Sequence, residues 1–326
     1  MKIIEMEHVS KTFQIYKRPK GIFNNVKALF HRQYEIKKAV DDISFSIEQG
    51  ELVGYIGANG AGKSTTIKML SGILVPTSGR ILVNGTVPYE NRRENAAKIG
   101  VVFGQRSQLN WDLPMQDTFE LYKKMYKIEE KAYRQNVEMF VELMQMQPFL
   151  RTPVRQLSLG QKMRAEISIA LLHDPAILYL DEPTIGLDVL AKERIRVFIR
   201  ELNKEKRITV ILTTHDMTDI EEICQRIIFI DQGKVMDDCS LAEFKTKHTE
   251  KYNITLNYTG VIAQICDRRV KLERQVDEQT AVYSVSRQEM SVNELLQYFS
   301  EHFMIRDIKI ASQSIEEIVR ELYQKQ

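Results

Sequence analysis

The run Gly57-Ala58-Asn59-Gly60-Ala61-Gly62-Lys63-Ser64 spaces its glycines, a lysine and a hydroxyl as GxxxxGK[ST]. Glycines there let backbone N–H groups turn inward around phosphate oxygens, and a helix starting at the lysine adds its positive dipole end. The expected cradle is Asn59, Gly60, Ala61, Gly62, Lys63, Ser64 and Thr65. Lys63 should reach the β/γ-phosphates of a nucleotide, and the Ser64 hydroxyl should ligate Mg²⁺. A second pair of chemical groups, Asp181 and Glu182, ends the apolar run Ile177-Leu178-Tyr179-Leu180. Asp181 is placed to hold Mg²⁺ and Glu182 to polarise an attacking water. Adjacent acids at a strand end are weak by themselves and become informative behind a phosphate loop.

These groups need strands that stop at one edge and helices that start there. Short apolar or alternating runs predict strands at Ile3–His8, Ile43–Ile47, Leu52–Ile56, Arg80–Val83 and Lys98–Phe103. Others are expected at Ile177–Leu180, Thr209–Thr213 and Ile227–Ile230. Helical stripes fall at Val137/Phe140/Val141/Met144, Met163/Ile167/Ala170/Leu171 and Ile195/Phe198/Ile199/Leu202, and read as core faces. Pro76–Gly79 and Asp231–Lys234 read as hairpin turns. Alternating strands and helices, several buried on both faces, predict an α/β sheet. After about residue 240 the pattern becomes a small α+β unit. Its strands are expected at Lys251–Tyr258, Val270–Gln275, Thr280–Arg287 and Ile305–Ala311, with helices at Val292–Phe303 and Ser314–Tyr323.

Leu157-Ser158-Leu159-Gly160-Gln161, at the head of a predicted helix, resembles the LSGGQ signature of ABC ATPases, with Leu159 in place of the central glycine. Gln105 resembles that family's Q-loop glutamine, Gly186-Leu187-Asp188 its D-loop, and His215 its switch histidine. With the phosphate loop and Asp181-Glu182 these stand in the family's order over roughly residues 1–240. The resemblance implies a P-loop NTPase ABC ATPase domain: a RecA-like core, an antiparallel β subdomain and an α-helical subdomain, with the α+β unit (241–326) as a C-terminal accessory domain. It implies ATP and Mg²⁺ as ligands, with Ser64, Gln105 and Asp181 toward the metal. It implies Glu182, His215, Gln105 and Lys63 as catalytic groups, and Ser158, Gly160, Gln161 and Asp188 reaching across to a second subunit's nucleotide. Phe13, with Tyr16 in reserve, sits where the family places an adenine-stacking aromatic; either residue also fits an ordinary core role.

A basic, amphipathic insertion is expected at about 14–38. Lys17, Arg18, Lys20, Lys27, Arg32, Lys37 and Lys38 are interrupted by one acid, Glu35, around the stripe Ile22/Phe23/Val26/Leu29/Phe30. Such a helix suits a membrane surface, a partner, or its own domain. Beginning at Tyr16-Lys17-Arg18-Pro19, it resembles the gate helix of polysaccharide-exporter ATPases. Leu109–Pro114 carries the chain's single tryptophan, Trp111, in the region that this family uses to receive a permease coupling helix. The ending Ser314–Val319 resembles the terminal helix of drug- and lipid-exporter subunits.

Forty-six Lys and Arg against 44 Asp and Glu leave a net charge of +2, which argues against a surface built for nucleic acid. Three cysteines without a CxxC pair are expected as reduced thiols. Neither a signal peptide nor a membrane-spanning run is read in the 326 residues. A separate integral membrane permease must then supply the pore, and the chain is expected on the cytoplasmic face of the cell membrane. Only one copy of each motif is present, so a second ATP-binding subunit is required, identical or related. Export is the expected direction. The alternatives are an importer subunit or a soluble ABC ATPase without transport.

Overall fold

The computed structural model describes residues 1–16, 34–104, 107–259 and 267–324. The chain divides into two compact units, Met1–Leu241 and Ala242–Gln326.

In the first unit β1 (Lys2–Tyr16) and β2 (Tyr34–Glu48) form a long antiparallel ladder, and β4 (Ser78–Val83) pairs with the other edge of β1. Both long strands outrun the expected Ile3–His8 and Ile43–Ile47. Tyr16 lies opposite Tyr34 in the ladder, so the insertion expected from about 14 to 38 narrows to residues outside those described. Lys11, Lys37 and Lys38 hide the alternation because this part of the ladder has solvent-facing sides. Pro76–Gly79 is not a hairpin, since no strand precedes it. It instead delivers β4 to β1: Thr77 N donates to Ser10 O, and a Cβ on Gly79 would lie 2.2 Å from His8 O.

The second sheet has the order β5-β6-β7-β3-β8-β9 (Ile99–Phe103, Ile177–Asp181, Thr209–Thr213, Leu52–Gly57, Arg226–Asp231, Lys234–Ser240). Its first five strands are parallel, and β9 closes the edge antiparallel. β3 and β7 are buried throughout, as two-sided strands require. The β8–β9 turn is the expected hairpin, with Gln232 and Gly233 both at positive φ. One core joins the two sheets through α1 (Lys63–Leu70): Ile4, Met6 and Ile81 from the antiparallel sheet share it with Tyr55, Ile67 and Ile228.

Helix α2 (Arg92–Lys98) takes Lys98 from the predicted strand, and β5 starts at Ile99. Three further helices follow, α3 (Met115–Tyr126), α4 (Glu130–Leu143) and α5 (Leu159–Leu171). Within α5, the expected stripe Met163, Ile167, Ala170 and Leu171 is buried. Arg164 anchors it, donating to Met144 O at 2.7 Å and lying over the Phe149 ring. Helices α6 (Val189–Lys206) and α7 (Met217–Ile223) complete the unit, with Phe198 of α6 edge-on to Phe140 of α4. Among the described residues no helix is long and apolar enough to cross a membrane.

The second unit begins with α8 (Leu241–His248), whose first residue closes the preceding unit. An antiparallel sheet follows, ordered β11-β12-β10-β13 (Val270–Gln275, Thr280–Ser286, Lys251–Thr259, Met304–Ser312). Leu295 and Phe299 of α9 (Val292–His302) share its core with Ile254, Leu256 and Tyr283. Helix α10 (Ile315–Gln324) ends it. The expected strands and helices match within two residues at each end.

Candidate functional site

Strand β3 delivers the glycine-rich loop to the edge of the parallel sheet. Two glycines there have no substitute: Gly62 sits at φ +110° with Ala39 O 2.4 Å from where a Cβ would be, and Gly57 is pressed against Ile230 O at the same distance. The backbone therefore turns tightly there, closed by Ala61 N donating to Ala58 O at 3.1 Å. Lys63 is buried, and its ammonium donates to Gly57 O at 2.7 Å and Ala58 O at 3.1 Å. Burial pushes its pKa down, opposed by the negative charges of Glu182 and Asp181. Ser64 and Thr65 are half-buried beside it.

A cleft of about 960 Å³ opens over this loop. Its walls include Asn59, Gly60, Gly62, Lys63, Ser64 and Thr65, with Asp181 and Glu182 on one side and Phe13 and Ile15 on another. Ala61 is buried beneath the loop, its carbonyl accepting from Gly233 N. Phe13 is half-buried on β1 with the Lys11 ammonium 5.2 Å from its ring centre. Tyr16 ends that strand, but its side chain lies outside the described residues, as does all of Gln105.

Strands β6 and β7 end side by side and carry the acids and the histidine. Asp181 accepts from Thr213 Oγ1 at 2.5 Å. Glu182 turns out of β6 at φ +60°, a left-handed conformation costing about 1–2 kcal/mol for a side chain with a Cβ. Its N–H is held by Thr213 O at 2.9 Å. The turn aims Glu182 at His215, whose Nε2 lies 2.8 Å from Glu182 Oε1. Gly104 makes room: its N–H donates to Asp181 O, and a Cβ there would meet Glu182 O at 2.4 Å.

Ser158, Gly160, Gln161 and Asp188 are not part of this cleft. Ser158 caps α5 through a reciprocal capping box, Gln161 N donating to Ser158 Oγ and Ser158 N to Gln161 Oε1. Asp188 caps α6 by accepting from Ala191 N at 2.8 Å. The two helix starts abut: a Cβ on Gly160 would lie 3.2 Å from Ala191 Cβ, and one on Gly186 3.1 Å from Leu159 Cδ2. Leu159, Ile185, Val189 and Leu190 are all exposed there. The phosphate loop, the acids and His215 thus form one cluster; the signature and Asp188 form another.

Residues that the motif pattern did not single out also line the cleft: Lys37, Lys68, Ile73 and Phe103. Thr213 ends the expected strand Thr209–Thr213 and opens the run Thr213-Thr214-His215-Asp216, without a role of its own in the motif. Its two bonds to the acid pair had one signal, the threonine doublet before His215.

The family of ABC transporters matches residues 40–185. The chain is 32% identical to the ABC transporter ATP-binding protein NatA of Bacillus subtilis over 207 residues, 64% of this chain and 84% of that one. It is 35% identical to the methionine import ATP-binding protein MetN of Latilactobacillus sakei over 230 residues, 69% of this chain and 67% of that one. Among solved structures, the dimeric post-hydrolysis state of the ATP-binding cassette MJ0796 bound to ADP and Pi is similar with a TM-score of 0.60 and 27% identity. That likeness covers 73% of this chain and 98% of the cassette. The protein belongs to the ATP-binding proteins of the ABC transporter family.

Proposed function

We propose that the chain hydrolyses ATP in this cleft as one of two facing ATP-binding subunits that drive a separate membrane permease from its cytoplasmic side. The observation that carries the reading is Lys63, whose buried ammonium rests on two loop carbonyls beside Asp181 and Glu182. Neutral carbonyls are weaker partners than a phosphate oxygen, so the ammonium is poised to exchange them for the β/γ-phosphates. N–H groups of the glycine-rich loop and of the helix start that follows it would serve the same phosphate oxygens. Phe13, with the exposed Ile15 and Ile73, offers an apolar wall to adenine.

Among the described residues no cluster of three His, Cys, Asp or Glu side chains could hold a metal. Ser64, Asp181 and Gln105 offer oxygen only, which fits Mg²⁺, a cation that keeps waters and phosphate oxygens as its other ligands. Bound there, Mg²⁺ would neutralise charge on the β- and γ-phosphates. Glu182 would orient the attacking water once it releases His215, and His215 would then face the γ-phosphate. Ser158, Gly160 and Gln161 lie at a helix start outside the chain's own cleft; Gly160 N–H takes no part in the capping box and would serve a nucleotide held by a second subunit, with Ser158 and Gln161 joining by exchanging their capping bonds. Asp188 stands beside them at the same surface.

Export is the direction we propose, on the four-stranded antiparallel sheet and helices of the C-terminal unit, which resembles the appendage of exporter subunits. The likeness to a methionine import protein favours import as a second reading. The experiment isolates tagged Glu182→Gln protein, with ATP, from detergent-solubilised membranes of its native host. A polytopic permease in stoichiometric amount supports transport, and its type decides direction. Ribosomal or DNA-repair proteins without any membrane protein would defeat it.

A further inference from the structure

Glu182 and His215 come from different strands, yet their side chains meet at 2.8 Å. A fully buried carboxylate joins the two loops that carry them. Asp219, on α7, has no exposed surface. Its Oδ2 accepts from Thr184 Oγ1 and, at 3.2 Å, from Thr214 Oγ1. Its Oδ1 accepts from Arg196 Nε at 2.7 Å. Thr184 lies two residues after Glu182, and Thr214 immediately precedes His215. Both threonines are themselves buried.

The surroundings keep that carboxylate in place. Arg196 is also 3.7 Å from Asp216 Oδ2 and 3.5 Å from Glu222 Oε1, and Lys192 reaches Asp216 Oδ2 at 2.6 Å. Thr214 Oγ1 accepts in turn from Asp216 N at 3.0 Å. The helix that follows Asp188 is thereby ion-paired to the helix that follows His215. A buried ion pair is poor evidence of stability alone, because apolar replacements often serve as well. Here the acceptor's remaining hydrogen bonds run to the loop that bears Glu182, which lines the cleft, and to the loop that bears His215, which pairs with Glu182.

We infer that Asp219 is a positioning residue for hydrolysis, setting the distance between Glu182 and His215 through Thr184 and Thr214. The inference rests on the ATP-hydrolysing reading of the cleft. It acts on kcat, because neither threonine nor Asp219 lines the nucleotide cleft.

The test measures ATPase kinetics of the full chain with its permease, for wild type, Thr184→Val, Thr184→Ser, Thr214→Val and Asp219→Asn, with melting curves and ATP binding as folding controls. Valine keeps the shape and removes the hydroxyl; serine keeps the hydroxyl. Misplacing a reacting group by about 1 Å costs up to about 100-fold, so Thr184→Val and Thr214→Val should lower kcat about 10- to 100-fold with KM within about twofold. Asp219→Asn should lose at least as much, and Thr184→Ser should retain about half the wild-type rate. Valine variants that melt earlier but turn over normally would overturn the inference, as would a serine variant as impaired as the valine. Wild-type protein that binds no ATP or never hydrolyses it would sink the reading of the cleft, and this inference with it.

Discussion

Replacing Lys63 by methionine separates a structural lysine from a ligand-seeking one. Within the loop the ammonium makes two hydrogen bonds to carbonyls, contributing about 3–6 kcal/mol together if each charged bond is worth about 1.5–3. Against this stands the several kcal/mol that burying an ammonium costs. The downward push on the Lys63 pKa shows that burial outweighs the attraction of Glu182 and Asp181. At these magnitudes the hydrogen bonds and the cost of burial are of similar size. Lys63→Met should change stability by no more than about 1 kcal/mol, or about 4 °C in Tm. Nucleotide binding has no such compensation. Losing a charge-assisted contact to phosphate removes about 2–3 kcal/mol, or about 30- to 150-fold in affinity. The assays are a thermal melt and fluorescence titration with a labelled ATP analogue. A Tm fall above about 8 °C with affinity within about threefold would refute the reasoning and make Lys63 a brace for the loop.

Two loop glycines should part company. Gly60→Ala faces only positive-φ strain, with nothing within 4 Å of the new methyl, and should cost about 1–2 kcal/mol in a chemical melt. Gly62→Ala adds a collision with Ala39 O and should lower stability further while abolishing ATP binding. Glu166 accepts from Ser107 Oγ and Gln108 N, and burial pushes its pKa up. The folded state then holds a proton that the unfolded state releases, so the stability linked to this group falls as pH rises above the ordinary glutamate range. Relative to wild type, Glu166→Gln should gain Tm as pH rises through the ordinary glutamate range and level off once the folded-state carboxyl ionises; a difference that stays flat throughout would refute it. Trp111 is 61% exposed with the Lys162 ammonium over its ring, an exposed contact worth about 0.5–1 kcal/mol. Trp111→Ala should leave the melt nearly unchanged and weaken permease co-purification, whereas a large Tm loss would show a packing role instead.

Local chemistry was the most legible part of the sequence. The phosphate loop, the helix at Lys63 and the C-terminal unit follow from short-range patterns, because glycine spacing, strand alternation and helix caps act within a few residues. The length of β1 and β2 was not legible, because charged residues such as Lys37 and Lys38 pair through their backbones and the ladder does not depend on their side chains. Likewise, a turn without a preceding strand looks like a hairpin until β4 is seen to pair with β1. The left-handed turn at Glu182 and its contact with His215 depend on two strands distant in sequence lying next to each other. The same is true of Thr184, Thr214 and Asp219, whose types alone are unremarkable. The motif residues could be named from the sequence, but their division into two clusters is visible only in the fold.

We propose that ATP joins this chain to a second ATP-binding subunit, tested first as a second copy, through a cleft on one and a signature helix on the other. Light scattering of Glu182→Gln protein, with and without Mg²⁺ and ATP, tests it most directly. The account predicts a monomer without nucleotide, a dimer with it, and no dimer when Lys63→Met or Ser158→Arg is added. A Glu182→Gln protein that binds ATP and remains monomeric, alone and with its permease, would contradict it.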